Sequence, residues 1–553
     1  MKRRDFLRYC AYGTTGLMMA GLSGRMTMGG SRGMHGGGMS SEMMGNDEPA
    51  PSSIIDAPLP MTSVFTPDIE LAITAIEDTI ALVGEQQTTV WRYVGEVLKG
   101  DPSILEPVAH SYLGPTLRLQ KGQRVRVHFK NELPIESGIH WHGLLVPDRM
   151  DGHPRDVVPS GGTYTYEFEL INRAGTYWYH PHPHQLTGYQ VYRGLAGVLI
   201  ISDDEEAALN LPTGAQDIPL VIQDRRIDEH FELAYTGNTS AGEAGGMMSG
   251  MMQGMMSNMM NGNGHTMSMG MSGNMILVNG QTDYTLPISQ KAHRLRLLNG
   301  SNARIYVLRW SDGTPLNVIA SDGGLLAEPL ERPYVILGPA ERVDLWVDFS
   351  QWPADQQPIM ESYPLGNGAA FTVFNTTATA DGTQSPMMPT QLSQLDTLSP
   401  EEAINQDSPR QINLTSNMSG WTLNGRRFDM TTVADDERVQ LGTTEIWEFN
   451  NDNSSGMMAQ GMTGMMNMPH PMHIHGVQFQ VLQRIVPAGK EEAWTSLRQG
   501  YVDVGWKDTV LVMPGERVQV IMRFEAHPGL FLVHCHNLEH EDLGMMRNFM
   551  IEA

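Results

Sequence analysis

From about residue 61 the chain reads as short runs in which apolar and polar positions alternate. LRLQKGQRVRVHFKNEL is the clearest, with Gly122 at a turn and Asn131 closing the run. A period of two predicts a strand with one face on a core. GTYTYEFEL, AGVLIIS, HRLRLLNG, ERVDLWVDFS, TEIWEFNN and ERVQVIMRF follow the same habit, separated by Gly, Pro, Asn and Asp. Segments with a helical period of 3.6 are scarce. The pattern predicts an all-β chain of sandwiches or barrels.

The strand pattern also repeats at long range. KGQRVRVHF in the first third is echoed by GTTEIWEF and PGERVQVIMRF in the last, and PAERVDLWVDF stands between them. Three sandwiches are therefore expected, at 61–205, 206–385 and 400–553, with 386–399 as a linker and LSPEEAINQDSPR leading into the third. Two methionine-rich insertions interrupt them, at 247–275 and 457–472. In the first, Met247, Met251, Met255 and Met259 recur every four residues, which would line one face of a helix. Their companions are Gly, Ser, Asn and Gln rather than Leu, Ile or Phe. A soft-metal surface is expected in place of a core stripe, because thioethers bind Cu(I) well and hard cations poorly.

Ahead of the first sandwich, residues 1–25 carry Arg3 and Arg4, then Phe6 and Leu7, then a mild Gly-rich apolar stretch. This order resembles a twin-arginine export signal. Residues 26–60, rich in Gly, Met, Ser and Pro, read as a flexible tether. Export to the periplasm or beyond is the expectation. No apolar run approaches the roughly 20 residues that a bilayer requires. With 62 acidic and 37 basic residues among 553, the net charge of −25 repels nucleic acid and anionic lipid and attracts cations. A monomer without nucleic-acid or stable membrane partners is expected.

Only two cysteines occur. Cys10 lies in the signal, which leaves Cys535 without a disulfide partner in the exported chain. A lone thiol in an oxidising compartment is buried and inert, or it holds a metal.

Four His-x-His pairs point to the second case: His140 and His142, His180 and His182, His473 and His475, His534 and His536. On a strand, residues i and i+2 share a face, so each pair can present two imidazoles to neighbouring metal ions. Eight buried imidazoles would otherwise need eight partners. Cys535, between His534 and His536, must face the opposite way, toward a separate site. His540 and His470 suit that site, and Met545 lies on the loop beyond His540. Two histidines, one cysteine and a weak axial methionine form the blue-copper donor set, which passes single electrons.

HWHG, YHPH, HPMHIHG and HCHNLEHEDLGMM together resemble the four signature motifs of three-domain multicopper oxidases, across nearly the whole chain after the tether. The resemblance implies three consecutive cupredoxin-like Greek-key β-sandwiches and four copper ions. It implies type 1 copper at His470, Cys535, His540 and Met545, and type 2 copper at His140 and His473. It implies a type 3 pair at His142, His180, His182, His475, His534 and His536. Oxygen reduction to water consumes protons, and Asp151 and Glu541 fall at family-like positions for a proton relay.

The second insertion runs into His470, so Met466 and Met468 must lie near the electron inlet. This arrangement resembles the bacterial cuprous oxidases of copper tolerance, with Met466 and Met468 as candidate Cu(I) ligands and further copper on the methionine-rich segments. The expected activity is oxidation of Cu(I) by O₂. A laccase acting on phenols or aromatic amines and a ferroxidase are the enzymatic alternatives, and a copper-sequestering protein is the non-enzymatic one.

Overall fold

The computed structural model describes residues 65–237, 270–365, 369–379, 385–417, 420–451, 468–489 and 491–553. The signal, the tether, Met247, Met251, Met255, Met259 and Met466 lie outside the described residues. Among the described residues the strands form six sheets, two to each of three sandwiches. No helix among them is long and apolar enough to cross a membrane.

The first sandwich shows how alternation becomes layering. Strands Gln86–Lys99, Ile69–Val83, Arg124–Asn131 and Thr163–Glu169 form one sheet in that order. The opposing sheet runs Leu105–Glu106, Thr116–Gln120, Gly197–Ser202, Gly175–His180, His140–His142. Ile69–Val83 lies parallel to Arg124–Asn131, and Thr116–Gln120 parallel to Gly197–Ser202. The chain must therefore cross between sheets rather than close each hairpin locally, as Greek-key sandwiches do. Alternate residues of the two sheets, among them Leu71, Ile73, Val125, Val127, Leu117, Leu199 and Ile201, meet in one core. The middle and third sandwiches are built around cores of the same kind.

Two departures from the simple alternating picture position the site. His293, Arg294, Arg296 and Asn299 of HRLRLLNG and Glu341, Arg342 and Asp344 of ERVDLWVDFS are buried. Strands Ala292–Asn299 and Arg342–Asp348 of the middle sandwich turn Arg294, Arg296 and Asp344 toward the first sandwich. Arg294 pairs with Asp344 at 2.7 Å and with Glu206, and Arg296 pairs with Asp217 at 2.6 Å. Thr176 of the first sandwich donates to Asp344 at 2.9 Å. Such strands read as half-solvated from sequence because a polar interface and a solvent face have the same period. The second departure is the 386–399 stretch. Leu392 is buried in the middle core, and Leu398 packs with Ile446 and Ile521 of the third sandwich, so the linker adheres to both bodies it joins.

The described end of the first methionine-rich run also belongs to the folded body. Met271 is buried beside Tyr112 and Tyr192, and Met275 opens strand Met275–Val278, paired with Asp217–Arg225. Residues 270–275 of the expected insertion are thus part of the sandwich body, and the rest of it lies outside the described residues.

Candidate metal centre

Two antiparallel strand pairs, one in the first sandwich and one in the third, position the four His-x-His motifs. His140 and His142 lie on one strand, whereas His182, His475 and His536 lie one or two residues past the ends of theirs. His140–His142 lies beside Gly175–His180, with His140 opposite His180. His470–Ile474 lies beside Gly529–Cys535, with His473 opposite His534 and Met472 opposite Cys535. Prolines at 181 and 183 end the first pair, since each removes an N–H from the ladder. The eight imidazoles converge where the sandwiches meet, and all are buried.

Hydrogen bonds assign which nitrogen carries the proton in five of these rings. Nδ1–H of His140 donates to the Asp151 carbonyl at 2.6 Å, and Nδ1–H of His473 to the Asp508 carbonyl at 2.7 Å. Their Nε2 atoms have no hydrogen-bond partner. Nδ1–H of His475 donates to Asp151 Oδ2 at 2.7 Å, Nδ1–H of His180 to the Pro181 carbonyl at 2.9 Å, and Nε2–H of His142 to Asp508 Oδ1 at 3.0 Å.

The remaining ring nitrogens face one another. His475 Nε2 lies 3.0 Å from His534 Nε2, which is 3.3 Å from His182 Nε2. His180 Nε2 lies 3.4 Å from both His142 Nδ1 and His536 Nε2. Three groups result, each with donor atoms within 4.8 Å of one another: His140, His142 and His473; His142, His180 and His536; His182, His475 and His534.

Burial first, with the facing imidazoles adding to it, pushes seven of these rings, those of His140, His142, His180, His182, His473, His475 and His536, below the ordinary histidine range. The shift takes His473 to about 3, with the Asp508 carboxylate pulling the other way, and His182 to about 4, where Glu541 opposes it. His140, His142, His180, His475 and His536 lie well below that range. Neutral rings with lone pairs converging at 3.0–3.4 Å repel one another, and cations between them would turn that repulsion into ligation.

Cys535 faces the other way. Its Sγ lies 3.4 Å from His470 Nδ1 and 3.7 Å from His540 Nδ1, and the two histidine Nδ1 atoms are 3.2 Å apart. Met545 and Met472 are buried in the same core cluster as Cys535. The Trp421 ring covers both histidines, 4.1 Å from His540 and 5.1 Å from His470 between centroids. Burial pushes the Cys535 thiol up, so the uncombined site holds a proton that a soft cation would displace.

Models of the multicopper oxidase family match residues 97–206 and 403–553. A multicopper oxidase of Staphylococcus aureus is 31% identical over 457 residues, covering 82% of this chain and 85% of its own. The chain belongs to the multicopper oxidase family. Among solved structures, the multicopper oxidase McoA of Aquifex aeolicus aligns with a TM-score of 0.69 at 31% identity, covering 88% of this chain and 97% of that one. A laccase-like oxidase from Ochrobactrum sp., described as active on lignin model compounds and lignosulfonate, aligns at 0.67 with 27% identity over 87% and 97%. This protein is accordingly an oxidoreductase that uses copper ions and couples oxidation of a reduced substrate to reduction of O₂. The converging imidazole lone pairs and the buried thiol are donors that copper accepts.

Carboxylates bracket the imidazoles of this oxidase. Asp151 is buried at the end of the turn Asp148–Met150, and Gly152 follows it at φ +82°, where a Cβ would lie 2.1 Å from the Ile139 carbonyl. Glycine at 152 therefore lets the loop press Asp151 onto the strand that carries His140. Burial, with help from Asp148, pushes the Asp151 carboxyl well above its ordinary range.

Glu541 sits on helix Leu538–Asp542, with Oε2 3.1 Å from His534 Nδ1 and Oε1 3.6 Å from His182 Nδ1. Burial works to raise its carboxyl, but the imidazoles it faces outweigh that and hold it low. Sequence reasoning missed Asp508 and Arg342. Neither stands in a motif, and only their burial beneath the histidines singles them out.

Proposed function

We propose that this protein is an exported cuprous oxidase, which takes electrons from Cu(I) at the Cys535 site and delivers them to O₂ at the histidine cluster. His470, Cys535, His540 and Met545 would hold type 1 copper, and His140 and His473 type 2 copper. His142, His180 and His536 would hold one type 3 ion, and His182, His475 and His534 the other. When bound, these ions supply one-electron acceptance at one end and four-electron oxygen reduction at the other.

The observation that carries the cuprous reading is where both methionine-rich insertions leave and rejoin the described chain. Asn451 Nδ2 donates to the Met468 carbonyl at 2.8 Å, which joins the two ends of the second insertion. Met468 is buried in the core that holds Cys535 and Met545. At the first insertion, the Met271 N–H and the Tyr235 hydroxyl donate to the Glu539 carboxylate at 2.7 and 3.1 Å. A Cβ on Gly270 would lie 2.6 Å from the Asn537 side chain, and the Asn537 N–H is 3.4 Å from Cys535 Sγ. Thioether-rich segments are thus rooted beside the electron inlet. Thioethers select Cu(I) over Fe(II) and offer phenols nothing specific.

Steady-state kinetics with Cu(I), Fe(II) and a phenol, on the wild type and on a deletion of 247–269, test this. The deletion is expected to lower kcat/KM for Cu(I) about 10-fold or more, equivalent to ~1.4 kcal/mol, and to leave phenol oxidation unchanged. Undiminished Cu(I) oxidation would favour the laccase reading, which the Ochrobactrum relative represents.

Within this reading Asp151 and Glu541 relay protons. Asp151, whose burial favours uptake of a proton, passes them on beside His140 and His475. Glu541, held ionised, passes them along the side of His182 and His534. Asp151→Asn keeps the size and the acceptor oxygen but cannot give up a proton. Oxygen consumption should fall by roughly 10²-fold, within the span of general acid catalysis, while the blue absorption persists. A wild-type rate would remove Asp151 from the relay.

A further inference from the structure

Asp151 has a counterpart that sequence gives no reason to suspect. The Asp151 carbonyl accepts from His140, the first imidazole of the first sandwich's pair, and its carboxylate accepts from His475, the second of the third sandwich's pair. Asp508 does the converse. Its carbonyl accepts from His473 at 2.7 Å and its carboxylate from His142 at 3.0 Å. The rings stack in the same couples, His140 on His475 at 3.9 Å and His142 on His473 at 3.7 Å. The centre therefore has an approximate twofold relation between first and third sandwiches, with one aspartate at each end.

The two ends differ on the far side of the carboxylate. Among the described residues no lysine or arginine forms an ion pair with Asp151. Both oxygens of Asp508 are gripped by Arg342 of the middle sandwich, at 2.7 and 2.6 Å. Arg342 is fully buried, and all five of its guanidinium N–H bonds are used. Nε donates to the Thr176 carbonyl at 3.0 Å, and Nη1 and Nη2 divide between Asp508 and the carbonyls of Ala340 and Asp322, both at 3.0 Å. Thr176 belongs to the strand that ends in His180. One guanidinium thus fastens all three sandwiches beneath the imidazoles. The glycine of HWHG makes room for it: Gly143 has φ +86°, and a Cβ there would lie 2.4 Å from Asp508 Oδ2 and 3.1 Å from Arg342 Nη2.

We propose that Asp508, locked by Arg342, is a positioning residue that decides which ring nitrogens of His142 and His473 face the metal centre. By accepting Nε2–H of His142 through its side chain it leaves Nδ1 as the ligating atom of that ring. By accepting Nδ1–H of His473 through its carbonyl it leaves Nε2 as the ligating atom there. The Thr509 hydroxyl lies 3.2 and 3.3 Å from the same two ring nitrogens and itself donates to Asp508 Oδ1 at 2.9 Å. The carboxylate thus orients that hydroxyl as well as the His142 ring, and partners of this kind typically govern metal affinity or activity by about 10–100-fold. The middle sandwich, which contributes none of the candidate ligands, would then act on the centre through Arg342, with Asp322 holding Lys507 and the Thr509 N–H on either side of Asp508.

The proposal rests on the copper assignment above, and the test separates the two. In the copper-loaded full chain, Asp508→Ala should keep the blue absorption of the Cys535 site, which serves as the folding control. The main-chain carbonyl that holds His473 survives this change and the carboxylate that holds His142 does not. It should therefore also weaken the near-ultraviolet absorption of the type 3 pair, lower copper per chain and slow oxygen consumption about 10–100-fold. Asp508→Asn, which retains an acceptor but not the charge, should keep the copper and shift the type 2 hyperfine splitting. Full copper with wild-type near-ultraviolet absorption and paramagnetic signal in both variants overturns the role of Asp508. Should Asp508→Ala not accumulate, Asp508→Asn alone decides, and an unshifted signal overturns it. A wild-type protein without any type 2 signal would instead overturn the copper assignment, and this proposal with it.

Discussion

Cys535→Ser is expected to abolish the blue colour, to lower bound copper by one ion per chain and to leave the histidine cluster loaded. Turnover with any one-electron donor should fall by at least about 10³-fold, equivalent to ~4 kcal/mol of barrier. Three features make the effect large. Cys535 is fully buried and is the sole thiol among the described residues, so no neighbour can substitute. The hydroxyl that replaces it is a hard donor with little tendency to ionise, whereas the thiolate is the soft partner that His470 and His540 are arranged around. The same residue is also the covalent link between sites. Its peptide neighbours His534 and His536 reach the imidazole cluster while its own side chain reaches the opposite face of the strand. Copper analysis, the visible spectrum and oxygen uptake on one preparation check all three expectations, and retained turnover without the blue band would refute the inlet role.

The strand period explains why so much of this centre is legible in sequence. His140 and His142 share a strand face and His534 and Cys535 take opposite ones, because adjacent positions on a strand point apart. His182, His475 and His536 lie just past the strand ends, where that period no longer sets the face. The core cluster that takes Met472, Cys535 and Met545 together follows from the same alternation. What sequence conceals depends on which faces meet. ERVDLWVDFS and HRLRLLNG carry polar residues at the period a solvated face would show, yet Arg294, Arg296, Arg342 and Asp344 are buried at the seams between sandwiches. Asp508 stands 166 positions from Arg342 and 366 from His142, and nothing within reach of either announces the contact.

Helix Leu538–Asp542 shows how densely such long-range roles can be packed. Glu539 holds Met271, Tyr235 and Asn302, and His540 faces Cys535. Glu541 faces His182 and His534, and Asp542 accepts the N–H groups of Thr187 and Gly188 at 3.0 and 2.9 Å. Four successive side chains thus address four surroundings. A turn of 3.6 residues allows this where a strand would not.

Arg342→Met should be the most destabilising single change in this region. It strands the Asp508 carboxylate without a cation and leaves the carbonyls of Thr176, Ala340 and Asp322 without a donor. Breaking a buried pair by removing one partner costs about 3–5 kcal/mol. With an unfolding entropy of about 2.1 cal/mol/K per residue, each kilocalorie lowers the midpoint by roughly 1 °C when three sandwiches unfold together. A fall of roughly 3–5 °C is therefore expected.

The sign of a second change separates lost charge pairing from lost bulk. Adding Asp508→Asn to Arg342→Met removes the stranded charge and should recover part of the loss, although Asp508→Asn alone is destabilising. A cavity left by the shorter side chain would make the two losses add instead. Thermal unfolding of the wild type, both single variants and the double variant measures the coupling directly. A double variant no more stable than Arg342→Met would show that packing around Arg342, rather than its pairing with Asp508, joins the three sandwiches.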